Sequence, residues 1–133
     1  MRVGEYMTQS PFTVSEQTSM KEAVLMLERH HIRHLPVTNG SRVVGMVTDR
    51  DIRRASPSLQ SGIEGDYEQV LVATPVARIM TKEPVTVTED TPLVDALRVM
   101  VEKKFGSLPV VRGEELIGIF TDIDALKVLL ELE

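Results

Sequence analysis

The chain writes one pattern twice. Met7-Thr8-Gln9-Ser10-Pro11-Phe12-Thr13-Val14 returns as Met80-Thr81-Lys82-Glu83-Pro84-Val85-Thr86-Val87, an offset of 73 positions. The register then holds without a gap over some 47 positions, about a third of them identical. Thr18 falls on Thr91, Ala23 on Ala96, Leu35-Pro36-Val37 on Leu108-Pro109-Val110 and Gly40 on Gly113. Gly45-x-x-Thr48-Asp49-x-Asp51 falls on Gly118-x-x-Thr121-Asp122-x-Asp124. Such self-similarity marks a supersecondary unit stacked on its twin. A unit of about 50 to 60 residues buries only a marginal core by itself, and pairing two of them relieves that. The expectation is an α+β fold of two pseudo-symmetric β-α-β-β-α units packed as one pair. The first covers residues 1–60, a linker 61–73 and the second 74–133.

Composition narrows the functional classes. Apolar residues at 42% and charged residues at 26% fit an ordinary globular chain. No stretch approaches the apolar run a membrane helix needs. The start, Met1-Arg2-Val3-Gly4-Glu5, lacks the basic and apolar regions of a secretory leader, so a cytoplasmic location and no membrane contact are expected. The absence of cysteine excludes thiol catalysis, disulfides and thiolate metal sites. A net charge of −5 argues against nucleic acid, whose binding rests on neutralising phosphates. The charge is uneven: residues 7–53 carry a net +1 and residues 80–126 a net −4, so an anionic ligand is better hosted by the first copy.

Within each copy, local signals place the elements. A short β-favouring run, Phe12-Thr13-Val14, precedes Thr18-Ser19, with Ser19-x-x-Glu22 spaced for a reciprocal helix cap. In the second copy Thr91 is expected to cap and Pro92 to occupy the first helical position, where its missing N–H costs nothing. Asn39-Gly40 reads as a hairpin turn between Leu35-Pro36-Val37 and Val43-Val44-Gly45, with Arg112-Gly113 in the second copy. Gly4 to Met7 and Val76 to Met80 read as short helical lead-ins, and residues 55–66, rich in turn formers, as a loop insertion. Apolar residues in the first helices, Met20 to Leu27 and Leu93 to Val101, are too many for one buried stripe, as they are in the last helix, from about Asp122 to Leu132. They serve either the intramolecular core alone or a homodimer packed through helices.

Thr48-x-x-Asp51 and Thr121-x-x-Asp124 follow an apolar strand and begin a helix. One account is a capping box with aspartate in place of glutamate. The other is half of a nucleotide site: free N–H donors at a helix start suit phosphate, the strand glycine admits close backbone approach, and an ionised aspartate can accept both hydroxyls of a ribose.

The repeated helix, the Leu-Pro-Val strand and the Gly-x-x-Thr-x-x-Asp signature resemble a tandem pair of CBS domains, a Bateman module, over nearly the whole chain. Ile32-Arg33-His34-Leu35-Pro36-Val37 with Thr48-Asp49-Arg50-Asp51-Ile52-Arg53 and Ala55-Ser56-Pro57-Ser58 most resembles the CBS region of AcuB-type acetoin-utilisation proteins. The resemblance implies a non-catalytic regulatory module. It would bind AMP, ADP, ATP or S-adenosylmethionine as a regulatory ligand in clefts between the paired units, need no cofactor, form a homodimer and pass occupancy to a partner enzyme or transporter. It also implies roles for residues. Asp51 and Asp124 would hold ribose hydroxyls, Thr48 and Thr121 would meet phosphate or ribose, and backbone around Thr13-Val14 and Thr86-Val87 would meet adenine. Arg33 and His34 would neutralise phosphate. The matching Gly106 and Ser107 carry no charge, so one dominant phosphorylated-adenosine site is expected in the first copy. With no tryptophan, three Phe and two Tyr, adenine is expected to be held by aliphatic groups and backbone.

Other readings fare less well. His30 and His34 sit four apart, as metal ligands on one helix face do, but no nearby acid completes a set. Arg50, Arg53 and Arg54 form a cluster that is either a solvated helix face or a phosphate mouth. No nucleophile elbow or phosphate loop is present, and Asp49 and Asp51 sit at a cap, not as an acid and base pair. The serious alternative is a ligand-independent scaffold that dimerises and docks another protein through its apolar helices.

Overall fold

The computed structural model describes residues 1–55 and 64–132. Among them are five helices and seven strands. The strands are β1 (Thr8–Gln9), β2 (Val14–Ser15), β3 (His34–Asn39), β4 (Arg42–Thr48), β5 (Thr81–Lys82), β6 (Ser107–Arg112) and β7 (Glu115–Thr121). The helices are α1 (Met20–His30), α2 (Asp49–Ala55), α3 (Glu64–Ala73), α4 (Leu93–Lys103) and α5 (Asp122–Leu132). Single 3-10 turns at Val3–Glu5 and Val76–Arg78 are the two lead-ins. The chain divides into two compact units, and neither is a contiguous stretch. One comprises Met1–Pro11, Ser41–Val43 and Pro84–Glu133, the other Phe12–Gly40 and Val44–Glu83.

The unit holding most of the first copy is built on the parallel pair β2 and β3, in which Val14 faces Val37 and Ser15 faces Thr38. Strand β3 neighbours β4, and β5 adds to β4 antiparallel, Gly45 opposite Lys82 and Met46 opposite Thr81. Helix α1 starts at Ser19, whose hydroxyl oxygen accepts from the Glu22 N–H at 3.1 Å. It ends at His31 in the left-handed conformation, φ 53°. Its Met20, Ala23 and Leu27, spaced three and four apart, enter a core with Val14, Leu35, Val37, Val47, Ile52, Leu71 and Val76.

Helix α3 departs from the sequence expectation. The sequence reads residues 55–66 as a loop insertion and 61–73 as a linker, yet Glu64–Ala73 is helical and packs on α1; residues 56–63 lie outside the described residues. Leu71 is buried, Tyr67 packs against the same core, and Lys21 pairs with Glu68 across the two helices. Tertiary contact with α1 stabilises a segment whose composition reads as a loop.

The second unit repeats the plan. Strands β6 and β7 form a long antiparallel pair, Ser107 opposite Thr121 through Arg112 opposite Glu115, and β1 adds to β7, Thr8 opposite Ile119. Val87 bridges in parallel to Val110. Its core is Val3, Val87, Leu93, Ala96, Met100, Leu108, Val110, Phe120 and Val128. The cap of α4 differs from expectation: Pro92 itself is the N-cap, and the Thr91 hydroxyl oxygen accepts from the Thr88 N–H at 3.0 Å. Thr18 does the same for Ser15 at 3.0 Å, so both threonines close the turn ahead of the helix rather than the helix. The hairpin glycines Gly40 and Gly113 have φ of 64° and 63°, the left-handed geometry such turns require.

Candidate functional site

In the first copy, β4 runs out at Thr48 and α2 begins at Asp49. The Thr48 N–H donates to Asp51 Oδ2 at 2.9 Å, and the Asp51 N–H donates to Thr48 Oγ1 at 3.2 Å. This is the reciprocal cap the spacing anticipates. Asp51 is half-buried. Its Oδ1 accepts nothing among the described residues, and the Thr48 hydroxyl hydrogen has no acceptor there.

The chain before β3 meets this corner. The Arg33 carbonyl accepts from the Asp49 N–H at 3.2 Å, which fixes Arg33 beside the start of α2 while its side chain remains exposed. His34 opens β3 and is half-buried. Strand β2 runs parallel to β3 with Val14 opposite Val37, past the middle of β3; Val14 is buried and the preceding Thr13 is exposed. The Asp49–Arg33 bond thus brings Arg33, His34, Thr48 and Asp51 to one corner, while Thr13 and Val14 stand on β2 alongside the middle of β3.

The second copy builds the same corner and closes it. Thr121 N–H donates to Asp124 Oδ2 at 2.9 Å, and Asp124 N–H donates to Thr121 Oγ1 at 3.2 Å. Here the Thr121 hydroxyl also donates to Oδ2, at 3.1 Å. The Thr8 hydroxyl reaches both carboxylate oxygens, at 3.2 Å and 3.3 Å. Asp124 is only 5% exposed, with both oxygens engaged. The Gly106 carbonyl replaces that of Arg33 in accepting from Asp122 at 2.9 Å, and Ser107 is buried, so no cation flanks this corner from the start of β6. Thr86 is exposed, whereas the Val87 N–H and carbonyl are taken by the Pro109 carbonyl at 3.0 Å and the Val111 N–H at 2.8 Å.

Two features went unread in the sequence. Gly45 and Gly118 leave room for a neighbouring chain segment, not for a ligand. A Cβ at Gly118 would stand 2.8 Å from Met7 Sδ and 2.9 Å from the Thr8 carbonyl, and one at Gly45 would stand 3.0 Å from the Thr81 carbonyl. The repeated Met-Thr dipeptide, Met7-Thr8 and Met80-Thr81, was the available signal. The other feature is a ring stack between Phe12 and His30, centroids 3.7 Å apart and planes 11° apart, which engages one of the histidines of the metal reading. Among the described residues no three His, Cys, Asp or Glu side chains cluster as metal ligands, and no helix is long and apolar enough to cross a membrane. Arg53 pairs with Asp49 at 3.6 Å on an exposed helix face, while Arg50 and Arg54 are exposed.

Comparison with known proteins agrees with this architecture. The family model of the CBS domain matches residues 3–58 and again 76–131. The structure of a protein described as an acetoin utilization protein (AcuB) from Vibrio cholerae superposes with a TM-score of 0.84 at 26% identity, covering 99% of this chain and 92% of that one. CBSX2 in complex with AMP gives 0.82 at 32% identity, covering 98% and 97%. The CBS domain pair of protein MJ0100 in complex with 5'-methylthioadenosine and S-adenosyl-L-methionine gives 0.81 at 25% identity, covering 97% and 99%. With the signature matched twice along its length and whole-chain agreement with solved CBS pairs, the chain belongs to the CBS domain family, as a tandem pair of AcuB-like form.

Proposed function

We propose that this chain is a non-catalytic regulatory module that binds an adenosine ligand at the Thr48–Asp51 corner and passes occupancy to a partner. The observation that carries the reading is the half-buried Asp51, whose Oδ1 accepts nothing among the described residues while Oδ2 holds the cap. A carboxylate oxygen so placed accepts a ribose hydroxyl in a charge-assisted bond. The ligands in CBSX2 and MJ0100 support the class: AMP, methylthioadenosine and adenosylmethionine differ at the 5' end and share adenosine. Arg33 and His34, at the start of β3, favour the phosphorylated members through charge. AMP, ADP and ATP are thus preferred over adenosylmethionine.

Transmission needs two arrangements that bind the ligand unequally. Helix packing in a homodimer is where that difference would lie. A thermal-shift series with AMP, ATP and S-adenosylmethionine tests the binding. An adenylate at a hundred times its dissociation constant stabilises the fold by about 2.7 kcal/mol. Asp51→Ala abolishes that shift, and Arg33→Ala weakens the shift from AMP more than that from adenosylmethionine. A shift from AMP that survives Asp51→Ala intact overturns the assignment.

A ligand-independent scaffold is the second reading, favoured by the exposed apolar side chains of α5, among them Leu129 and Leu130. Such a scaffold ignores every adenosine compound in the same series.

A further inference from the structure

We propose that Thr8 acts as an internal plug that keeps the second Thr-x-x-Asp corner from taking a ligand. The inference rests on the reading of these corners as sugar grips. The two corners share the Thr-x-x-Asp sequence and the cap geometry, and the first alone is flanked by Arg33 and His34 where the second has Gly106 and Ser107. They differ in what else reaches the carboxylate. At Asp124 the Thr8 hydroxyl donates across both oxygens, at 3.2 Å and 3.3 Å, in the manner of a sugar hydroxyl. The Thr121 hydroxyl takes a further place on Oδ2 at 3.1 Å. At Asp51 neither counterpart does so. Thr81, the repeat equivalent of Thr8, makes no bond to Asp51, and Thr48 donates only its backbone N–H.

The plug is held by the fold. Thr8 lies in β1, paired opposite Ile119 of β7, two residues ahead of Thr121. Gly118 lets the Met7-Thr8 backbone approach closely enough for the hydroxyl to reach Asp124. A ligand hydroxyl arriving at Asp124 must displace a donor already in place and find room at a residue 5% exposed. Losing one such bond in exchange for another leaves little net gain. The consequence is one competent corner per chain and a latent second.

Titration calorimetry with AMP, repeated with S-adenosylmethionine, tests this. Thr8→Ala removes the donor and vacates the space it fills beside Asp124. The wild type binds one AMP per chain, and Thr8→Ala binds two. In the Asp51→Ala background binding is silent, Asp51→Ala with Thr8→Ala regains one AMP, and Asp51→Ala with Thr8→Ser stays silent because serine keeps the hydroxyl. Regained affinity of at least tenfold over the Asp51→Ala parent is expected, the equivalent of one competing hydrogen bond. Two AMP per wild-type chain, or a silent Asp51→Ala/Thr8→Ala variant alongside a binding wild type, overturns the plug while sparing the sugar-grip reading. Silence of every variant toward both compounds overturns the two together. Melting curves taken without ligand confirm that each variant is folded.

Discussion

Asp51 and Asp124 are the same residue at the same repeat position, and their surroundings make them different groups. Asp51 accepts one backbone N–H within a short cap, whereas Asp124 accepts from a backbone N–H and two hydroxyls in a nearly closed environment. Removing a buried acceptor leaves its donors unsatisfied, and that costs more than the loss of a half-exposed cap. Asp124→Ala should therefore lower stability by about 2–3 kcal/mol and Asp51→Ala by about 1 kcal/mol. Urea denaturation without ligand measures both. Equal losses would mean that the extra donors at Asp124 contribute nothing. The sequence announced both aspartates and the threonines that cap with them. Gly106 and Ser107 in place of Arg33 and His34 announced a difference in flanking charge, but not the closing of Asp124, because Thr8 lies 116 positions away and no local pattern connects them.

At the scale of elements, the strands and helices with strong periodicity were legible, since α1, α4, α5 and the β3–β4 and β6–β7 strands each carry an apolar pattern and turn signals. What could not be read locally were two-residue strands. Thr8–Gln9 and Thr81–Lys82 are exposed and too short for any alternation, and they exist because a glycine in the neighbouring strand admits them. Helix α3 escaped for a related reason: its apolar residues Val70 to Ala73 are consecutive at its end and show no helical period, and packing of Tyr67 and Leu71 against the core beside α1 gives the segment its meaning. The glycines yield a prediction of their own. A Cβ at Gly118 meets the backbone carbonyl of Thr8, which cannot rotate away as a side chain can. Gly118→Ala should thus cost about 1–3 kcal/mol by overpacking, and more than Gly113→Ser, which meets open space but strains a positive φ. Thermal denaturation of the two variants decides the order. A harmless Gly118→Ala would show that β1 pairs loosely.

For the molecule as a whole, the outstanding fact is a helix with two apolar sides. Helix α5 turns Asp124 and Val128 inward, yet Ile123, Leu126, Leu129 and Leu130 are 56%, 54%, 60% and 74% exposed. At 3.6 residues per turn these four share the face opposite the buried pair. A helix apolar on both faces is ordinarily covered on both. Helix α4 adds Val94 and Val101, exposed beside its buried Leu93, Ala96 and Met100. A second copy of the chain offers the same face in return, and twofold pairing lets one patch cover itself. The homodimer proposed above should then depend on α5. Leu126→Glu with Leu130→Glu places charge on an already exposed surface, so the fold of each chain should keep its stability while the pairing is lost. Sedimentation measurements should give a dimeric mass for the wild type and a monomeric mass for the double variant, with unchanged far-UV circular dichroism. A monomeric wild type would remove the dimer and with it the proposed route from ligand to partner, because helices that pack on nothing have no second arrangement for the ligand to favour.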